Sequence, residues 1–343
     1  MGMPSQEPQS SPSPTISVVM PVLNEARDLG TLLDQVLNQK PPAGGFEVLV
    51  VDGGSTDDTR SIVTARGEDC PNLLLLDNPR RLSGAGRNVG ARAARGKYVL
   101  FLDGHCALPR DDYLIRTVEL FESTGASCLC RPQPLNRMAA NEWSRAISAA
   151  RHSWLGHYPA SDIYGGPSGF TDPSSAGAAY ARTLIEDLGG YDERFDACED
   201  VEFNHRVALG GFPSYFHPDL TVEYRPRASL GAFFRQMFRY GRGRARLMAR
   251  HPTMIPWPLV LTTAYVALAV VTCIAYGLRE VGPMAGIPIA AWLLATGIES
   301  LRLARSLPGF LKTWLAFAVI HGGLLLGFWR ALPELHRFRA GDE

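Results

Sequence analysis

Three long runs without charge lie close together near the end of the chain, and they limit its folding more than any other feature. The first is WPLVLTTAYVALAVVTCIAYGL, from Trp257 to Leu278; Val281 to Ile298 and Thr313 to Trp329 follow. About 20 apolar residues cross the ~30 Å hydrocarbon core of a bilayer as a helix. The first run meets that length, the second is marginal, and the third is shorter and holds His321. Any one of these runs has a buried core helix as its competing reading. Three in tandem favour a membrane region over 253–330, with spans near 257–278, 281–298 and 313–329. The mean hydropathy of -0.03 therefore averages two unlike halves.

The residues before these runs set the expected orientation. From Tyr224 to Arg279 there is no acidic residue, while Arg225, Arg227, Arg235, Arg239, Arg242, Arg244, Arg246 and Arg250 are basic. Juxtamembrane arginine favours the cytoplasmic face and anionic headgroups. Residues 228–252 are thus expected to form a basic amphipathic, interfacial helical segment. A multi-pass protein of the inner or plasma membrane with its soluble part in the cytoplasm follows. The rule conflicts with three full spans, because Arg330, Arg337 and Arg339 would then lie outside. Two or three spans both remain open, the third run being interfacial or re-entrant in the first case.

Charge and cysteine content exclude other classes. Thirty-four Lys+Arg balance thirty-four Asp+Glu, whereas a nucleic-acid binder carries a basic excess; no nucleic-acid partner is expected. The six cysteines form no CxxC pair, which argues against a disulfide framework or a zinc site. The Pro- and Ser-rich start, residues 1–14, and the end, residues 331–343, read as tails.

Between them, residues 15–227 alternate strand and helix. ISVVMP, FEVLVVD, NLLLLD, KYVLFLD and ASCLC read as strands separated by helical stretches. Such alternation specifies an α/β fold with a parallel sheet and helices on both faces. Ligands bind beyond the carboxyl ends of these strands, where Asp52, Asp77 and Asp103 stand. The irregular stretch from Arg131 to about Ser175 suits a binding surface.

The acidic residues carry the chemistry. Asp103-Gly104-His105 follows a strand, and two ligands two residues apart on an extended turn suit a divalent cation on diphosphate oxygens. The imidazole leans the choice from Mg²⁺ toward Mn²⁺. A capped turn would show the same residues. Glu199-Asp200 opens a helix in CEDVEFNHRV, where carboxylates also favour the positive end of the dipole.

PVLNEA, VVDGGSTDDT, Asp103-Gly104-His105, GGYDERF followed by Glu199-Asp200, and Gln236-x-x-Arg239-Tyr240 occur in this order. Together they resemble family 2 glycosyltransferases of the GT-A fold, over about residues 15–250. Tyr224-Arg225-Pro226-Arg227 and the stretch from Arg239 to Gly243 resemble the membrane-attached, ExoA-like glucosyltransferases of succinoglycan biosynthesis. The resemblance implies inverting transfer from a UDP-sugar, glucose being favoured. It implies that Pro21, Asn24, Glu25, Asp52 and Arg87 bind the donor, with Asp52 on the uracil and Arg87 beside a turn at Gly84–Gly86. Asp103, also a donor-binding residue, and His105 would hold the metal, Mn²⁺ or Mg²⁺. Asp200 would be the general base, with Glu199 beside it. Gln236, Arg239 and Tyr240 would sit by the acceptor and the diphosphate. The chain departs from the family at two of these positions: His105 stands for an Asp and Tyr240 for a Trp.

The apolar runs imply an acceptor at the bilayer, a polyprenyl-diphosphate-linked sugar, as in exopolysaccharide or cell-envelope glycan synthesis. Protein or diacylglycerol acceptors would share that geometry. Two other classes compete. Gly84-Ala85-Gly86-Arg87-Asn88-Val89-Gly90 imitates a dinucleotide fingerprint and would make an NAD(P)-dependent oxidoreductase, but no strand directly precedes it. A non-catalytic membrane scaffold would not need the acidic residues.

Overall fold

The computed structural model describes residues 13–135, 139, 141–156, 162–174, 176–276 and 278–339. The first twelve residues of the expected N-terminal tail and the last four of the C-terminal one lie outside the described residues, as do Ser175 and 157–161 of the irregular stretch.

The elements run β1 (Ile16–Val22), α1 (Ala26–Leu37), β2 (Phe46–Asp52), α2 (Thr59–Gly67), β3 (Leu73–Asp77), α3 (Ser83–Ala93) and β4 (Tyr98–Phe101). Then come β5 (Cys106–Ala107), α4 (Tyr113–Thr124), β6 (Cys128–Cys130), α5 (Glu142–His152), β7 (Gly169–Phe170), β8 (Gly177–Ala181) and α6 (Arg182–Asp187). The chain continues with α7 (Glu199–Leu209), β9 (Ser214–Phe216), β10 (Glu223–Tyr224), α8 (Leu230–Arg250), α9 (Trp257–Tyr276), α10 (Leu278–Leu303) and α11 (Leu307–Ala331).

Among the described residues, one sheet has eight strands in the order β3-β2-β1-β4-β8-β6-β9-β7. Strands β1 to β4 are parallel, and β8 enters antiparallel between β4 and β6. Strand β6 consequently points the same way as β4, so the ends at Val22, Asp52, Asp77, Phe101 and Cys130 share one edge. The sheet is mostly parallel, as the strand–helix alternation implies, and β8 is the departure. From Glu47 to Asp52, β2 is buried at every position, as a strand covered on both faces must be. One layer, with Leu29, Leu33, Tyr113 and Phe121, packs on one face, and Tyr180, Leu184, Phe203 and Val207 pack on the other. Leu29, Leu32, Leu33 and Val36 of α1 recur at helical spacing and are buried. Truncating one of them to Ala would cost about 2–5 kcal/mol.

The ordering of polar groups within this core is also local. Glu47 sits inside the sheet at 1% exposure. It accepts from the Ser17 hydroxyl at 2.7 Å and pairs with Arg95 at 2.9 Å, which satisfies a charge that burial alone would penalise.

The C-terminal helices depart from the sequence expectation. Among the described residues, one helical segment is long and apolar enough to cross a membrane: Leu307–Phe338, which contains the third and shortest run. It is not a free span. Phe233 and Met237 of α8, Ile147 and Ala150 of α5, and Ala316, Phe317 and Ile320 of α11 form one buried cluster. A Cβ on Gly327 would lie 2.0 Å from the Phe238 carbonyl oxygen, and one on Gly241 would lie 2.1 Å from that of Leu324. Glycine on both helices lets the backbones touch, as in close-packed membrane helices. On α9 and α10, by contrast, Leu261, Leu268, Ile287, Leu294 and Leu301 are exposed.

Candidate active site

At the shared strand edge the chain encloses a cleft of about 510 Å³. Its wall includes Pro21, Asn24, Glu25, Arg87, Asp103, His105, Glu199, Asp200, Gln236, Arg239 and Tyr240. Of the residues given a catalytic, donor, acceptor or metal role from sequence, Asp52 is the one not on this wall, and Asp77 is not on it either. Asp52 is 1% exposed, and its carboxylate accepts from the N–H of Gly54 at 3.1 Å, the hydroxyl of Ser55 at 2.5 Å and Arg60 at 2.8 Å. Those donors use up the carboxylate inside its own turn. Burial opposes its ionised form, but Ser55 and Arg60 outweigh that and lower its pKa.

The turn built on Asp52 reaches the cleft through its neighbours. Ser55 accepts the backbone N–H of Asn24 at 2.8 Å, and Asn24 Oδ1 accepts that of Thr56 at 2.8 Å. Asn24 has φ of 56°, a left-handed conformation that Asn tolerates better than most residues. Glu25 follows it, fixed by its backbone N–H to Thr59.

Gly84 and Gly86 do not form the turn expected beside Arg87. Both lie in the first turn of α3 and are buried. A Cβ on Gly86 would meet Pro21 at 3.1 Å, and one on Gly84 would meet Glu199 at 3.4 Å. Their small size lets α3 approach β1 and α7. The segment 78–82 separates β3 from α3, so the dinucleotide-fingerprint reading lacks its strand–turn–helix context.

That close approach buries Arg87 between two acids. Arg87 pairs with Glu199 at 2.5 Å and Asp103 at 3.0 Å, and donates to the Ser83 hydroxyl at 2.6 Å. Burial pushes the Asp103 carboxyl up, yet the positive charges of Arg87, His105, Arg131 and Arg227 together outweigh it and the pKa is lowered. Asp200 differs. It lies in the first turn of α7, exposed to the cleft, and makes no ion pair among the described residues. The enclosing walls and the adjacent Glu199 push its carboxyl up to about 6.

His105 has an ordered ring. Its Nδ1 lies 2.9 Å from Glu25 Oε1, and Tyr224 packs edge-on with centroids 4.8 Å apart. A carboxylate only accepts, so Nδ1 carries the proton. Burial opposes the imidazolium, but Tyr224 and Glu25 outweigh it and raise the pKa well above 6.5. Nε2 is buried without a partner. A metal-binding histidine commonly shows this pattern, with one nitrogen oriented by a carboxylate and the other open. Among the described residues, no group of three or more His, Cys, Asp and Glu could hold a metal ion. Asp103 and His105 are the side chains here whose donor atoms could hold a divalent cation together with diphosphate oxygens.

Helix α8 completes the wall. Gln236 donates to the Tyr240 hydroxyl at 3.1 Å. Arg239 donates to the backbone oxygen of Asp196, whose carboxylate binds Arg242 and Arg246. The basic block is therefore not one uniform headgroup-facing surface, because Arg242 and Arg246 tie α8 to the loop before α7. Arg81, Arg131, Arg151, Tyr164, Tyr224 and Arg227 also line the cleft, and sequence reading gave them no role there. Tyr224 and Arg227 lie in a run whose resemblance was noted, and Arg131, Arg151 and Tyr164 lie in the irregular stretch that suits a binding surface.

Residues 17–189 match the family described as Glycosyl transferase family 2. The chain is a family 2 glycosyltransferase. It is 31% identical to the succinoglycan biosynthesis protein ExoA of Rhizobium meliloti (strain 1021), over 93% of this chain and 96% of that one. It is 22% identical to the dolichyl N-acetyl-alpha-D-glucosaminyl phosphate 3-beta-D-2,3-diacetamido-2,3-dideoxy-beta-D-glucuronosyltransferase of Methanococcus voltae, covering 92% and 97%. Among solved structures, the mannosyltransferase PcManGT from Pyrobaculum calidifontis, in complex with GDP-Man and Mn²⁺, superposes with a TM-score of 0.59. That match has 23% identity and covers 95% of this chain and 91% of the mannosyltransferase. The glycosyltransferase therefore has the GT-A fold.

Proposed function

We propose that this glycosyltransferase moves a sugar, with inversion, from a nucleotide diphosphate to a hydroxyl of a lipid-linked acceptor. The nucleotide is read as UDP and the sugar as glucose, the acceptor as a polyprenyl-diphosphate-linked saccharide. The pathway would be exopolysaccharide or cell-envelope glycan synthesis at the cytoplasmic face of the inner or plasma membrane. The ExoA relative supports the pathway by its name, and the dolichyl phosphate relative supports the lipid.

One observation carries the reading: of the neighbours Glu199 and Asp200, only Glu199 is held in an ion pair among the described residues. Glu199 is neutralised by Arg87, while Asp200 is unpaired with a pKa near 6. A single free carboxylate in the cleft is what inverting transfer needs, since it takes the acceptor proton as the hydroxyl attacks the anomeric carbon. Such a base contributes typically ~10²–10⁴-fold. Among the described residues, the other carboxylates on the cleft wall are engaged, Glu25 with His105 and Asp103 and Glu199 with Arg87. Pro21, Asn24 and Glu25 would hold the nucleotide, and Asp52 would act on it by fixing the turn behind Asn24. Asp103 and His105 would hold the divalent cation, which when bound stabilises charge on the departing diphosphate. Gln236, Arg239 and Tyr240 would line the acceptor side.

We also read the exposed apolar side chains of α9 and α10 as lipid-facing, with α11 joining them to the catalytic part. The test is transfer to membrane lipid extract by the detergent-solubilised chain, using UDP-glucose, UDP-galactose, UDP-N-acetylglucosamine and GDP-mannose with Mn²⁺. Labelled lipid from UDP-glucose alone is the expected result. Label from GDP-mannose alone would overturn the donor assignment, and no label from any donor would overturn the reading.

A further inference from the structure

One wall of the cleft carries more positive charge than transfer to a neutral alcohol requires. Arg131 directly follows β6 and is 3% exposed, yet its Nε and Nη1 have no hydrogen-bond partner. The Tyr113 hydroxyl supports it, and the charge of Asp103 reaches it. Arg131 forms no ion pair among the described residues, so its buried N–H donors are left open to an anion in the cleft. Arg151 of α5 lies with its guanidinium 6.0 Å from the Tyr164 ring centroid, near the phenols of Tyr224 and Tyr240. Arg227 stands just beyond β10. All three line the cleft, and none makes an ion pair among the described residues.

The donor does not need these charges. Its diphosphate is matched by the cation that Asp103 and His105 would hold; Arg131 follows β6, two strands beyond β4 in the sheet, with its charge still reaching Asp103. Arg151 instead belongs to the helix whose Ile147 and Ala150 pack against Phe317 and Ile320 of α11. The cationic wall is thus continuous with the helix apolar enough to enter a membrane.

We propose that Arg131, Arg151 and Arg227 form a second anion subsite, distinct from that of the donor diphosphate, which binds the phosphate or diphosphate group carried by the lipid-linked acceptor. This subsite rests on the transfer reading above. The rival occupant is the donor diphosphate itself, because the charges of Arg131 and Arg227 are felt at Asp103.

The experiment is calorimetry on the full chain in neutral detergent, loaded with UDP and Mn²⁺, with farnesyl phosphate, farnesol and inorganic phosphate as probes. Farnesyl phosphate should bind at least about tenfold more tightly than either of the others. Arg131→Gln and Arg151→Gln should each weaken it by about tenfold or more, the range for losing a charge-assisted hydrogen bond. Their affinity for UDP should stay within about twofold of the parent. Should Arg131→Gln fail to fold, the less buried Arg227→Gln must show the same selective loss. Farnesol binding as tightly as its phosphate would overturn the subsite. Inorganic phosphate binding as tightly would overturn its lipid source, and an equal loss of UDP affinity would assign the arginines to the donor. If the parent chain binds no UDP, the transfer reading fails; the arginine variants then report on the subsite through farnesyl phosphate alone.

Discussion

Arg87 and Glu199 form a buried ion pair at 2.5 Å, and this pair separates the roles of two adjacent carboxylates. With Glu199 held, Asp200 is left as the group able to accept a proton. Asp200→Asn should lower turnover by about 10²–10⁴-fold while leaving UDP affinity within about twofold. In the parent enzyme the rate should rise with pH and level off above about 6, where the Asp200 carboxyl ionises. A carboxyl whose folded pKa is raised adds stability at low pH and loses it as the pH rises through that value. Asp200→Asn should therefore melt higher than the parent at pH 7.5 and show no gain at pH 4. Turnover, isothermal titration and melting curves at both pH values check this; a pH profile identical in parent and variant would remove Asp200 from the mechanism.

Removing Arg87 leaves two acids without their shared partner. Arg87→Met should cost about 3–5 kcal/mol, the usual effect of breaking a buried ion pair from one side. Arg87→Lys should recover only part of this, since one ammonium cannot serve Glu199, Asp103 and Ser83 with the fork geometry of a guanidinium. The depressed Asp103 pKa contributes stability above the ordinary value of 3.8, and that contribution disappears as pH falls through the folded pKa. The gap between parent and Arg87→Met should accordingly narrow in acid. Urea melts at pH 7 and pH 3.5 decide it: a gap of equal size at both would mean that charge pairing is not its cause.

The His105–Glu25 contact predicts a graded effect on cation use. His105→Ala should abolish the gain in UDP affinity that Mn²⁺ provides. Glu25→Gln keeps the ligand but loosens its orientation, and should weaken cation affinity by about 10–100-fold. Titrations of UDP with Mn²⁺ and with EDTA measure both. Equal UDP affinity under the two conditions in the parent would count against Asp103 and His105 as cation ligands.

Much of this site was readable before any coordinates. Strands β1 to β4 are short, continuous apolar runs, and β2, β3 and β4 end in Asp or close to one, so both the sheet and its ligand edge follow from pattern. The cleft residues from Asn24 to Tyr240 were named in order because each lies in a local motif. Arg131 and Arg151 lie in no motif and come together only through β8, whose antiparallel insertion between β4 and β6 has no local signature. Asp52 was assigned to the nucleotide by resemblance and strand-end position, neither of which reveals carboxylate direction, which Ser55 and Arg60 determine. The third apolar run was ranked weakest for length. Its glycines, which select α8 as partner, carry no weight in hydropathy.

Those glycines yield a further prediction. Gly327→Leu places a side chain where a Cβ would already lie 2.0 Å from the Phe238 carbonyl. Helices α8 and α11 must then separate, moving Gln236, Arg239 and Tyr240 off the cleft wall. Melting temperature and transfer should both fall, whereas Gly322→Leu, at a glycine with open space around it, should leave both near the parent values. Matching behaviour of the two variants would show that the crossing does not position α8.

The same crossing changes the expected result of truncation. From the apolar runs alone, a chain ending before Trp257 should be soluble and active on the nucleotide but poor with lipid acceptors. The structure predicts worse, because ending there also removes α11 and strips Phe233, Met237 and Gly241 of α8 and Ile147 and Ala150 of α5 of their cover. An uncovered apolar stripe of this kind promotes association. The truncated protein should aggregate, or elute as a large oligomer, and fail to bind UDP with Mn²⁺. Size-exclusion chromatography with a UDP titration separates the outcomes. A monomer with parent-like UDP affinity would show that α11 serves as an anchor alone and adds nothing to the catalytic fold.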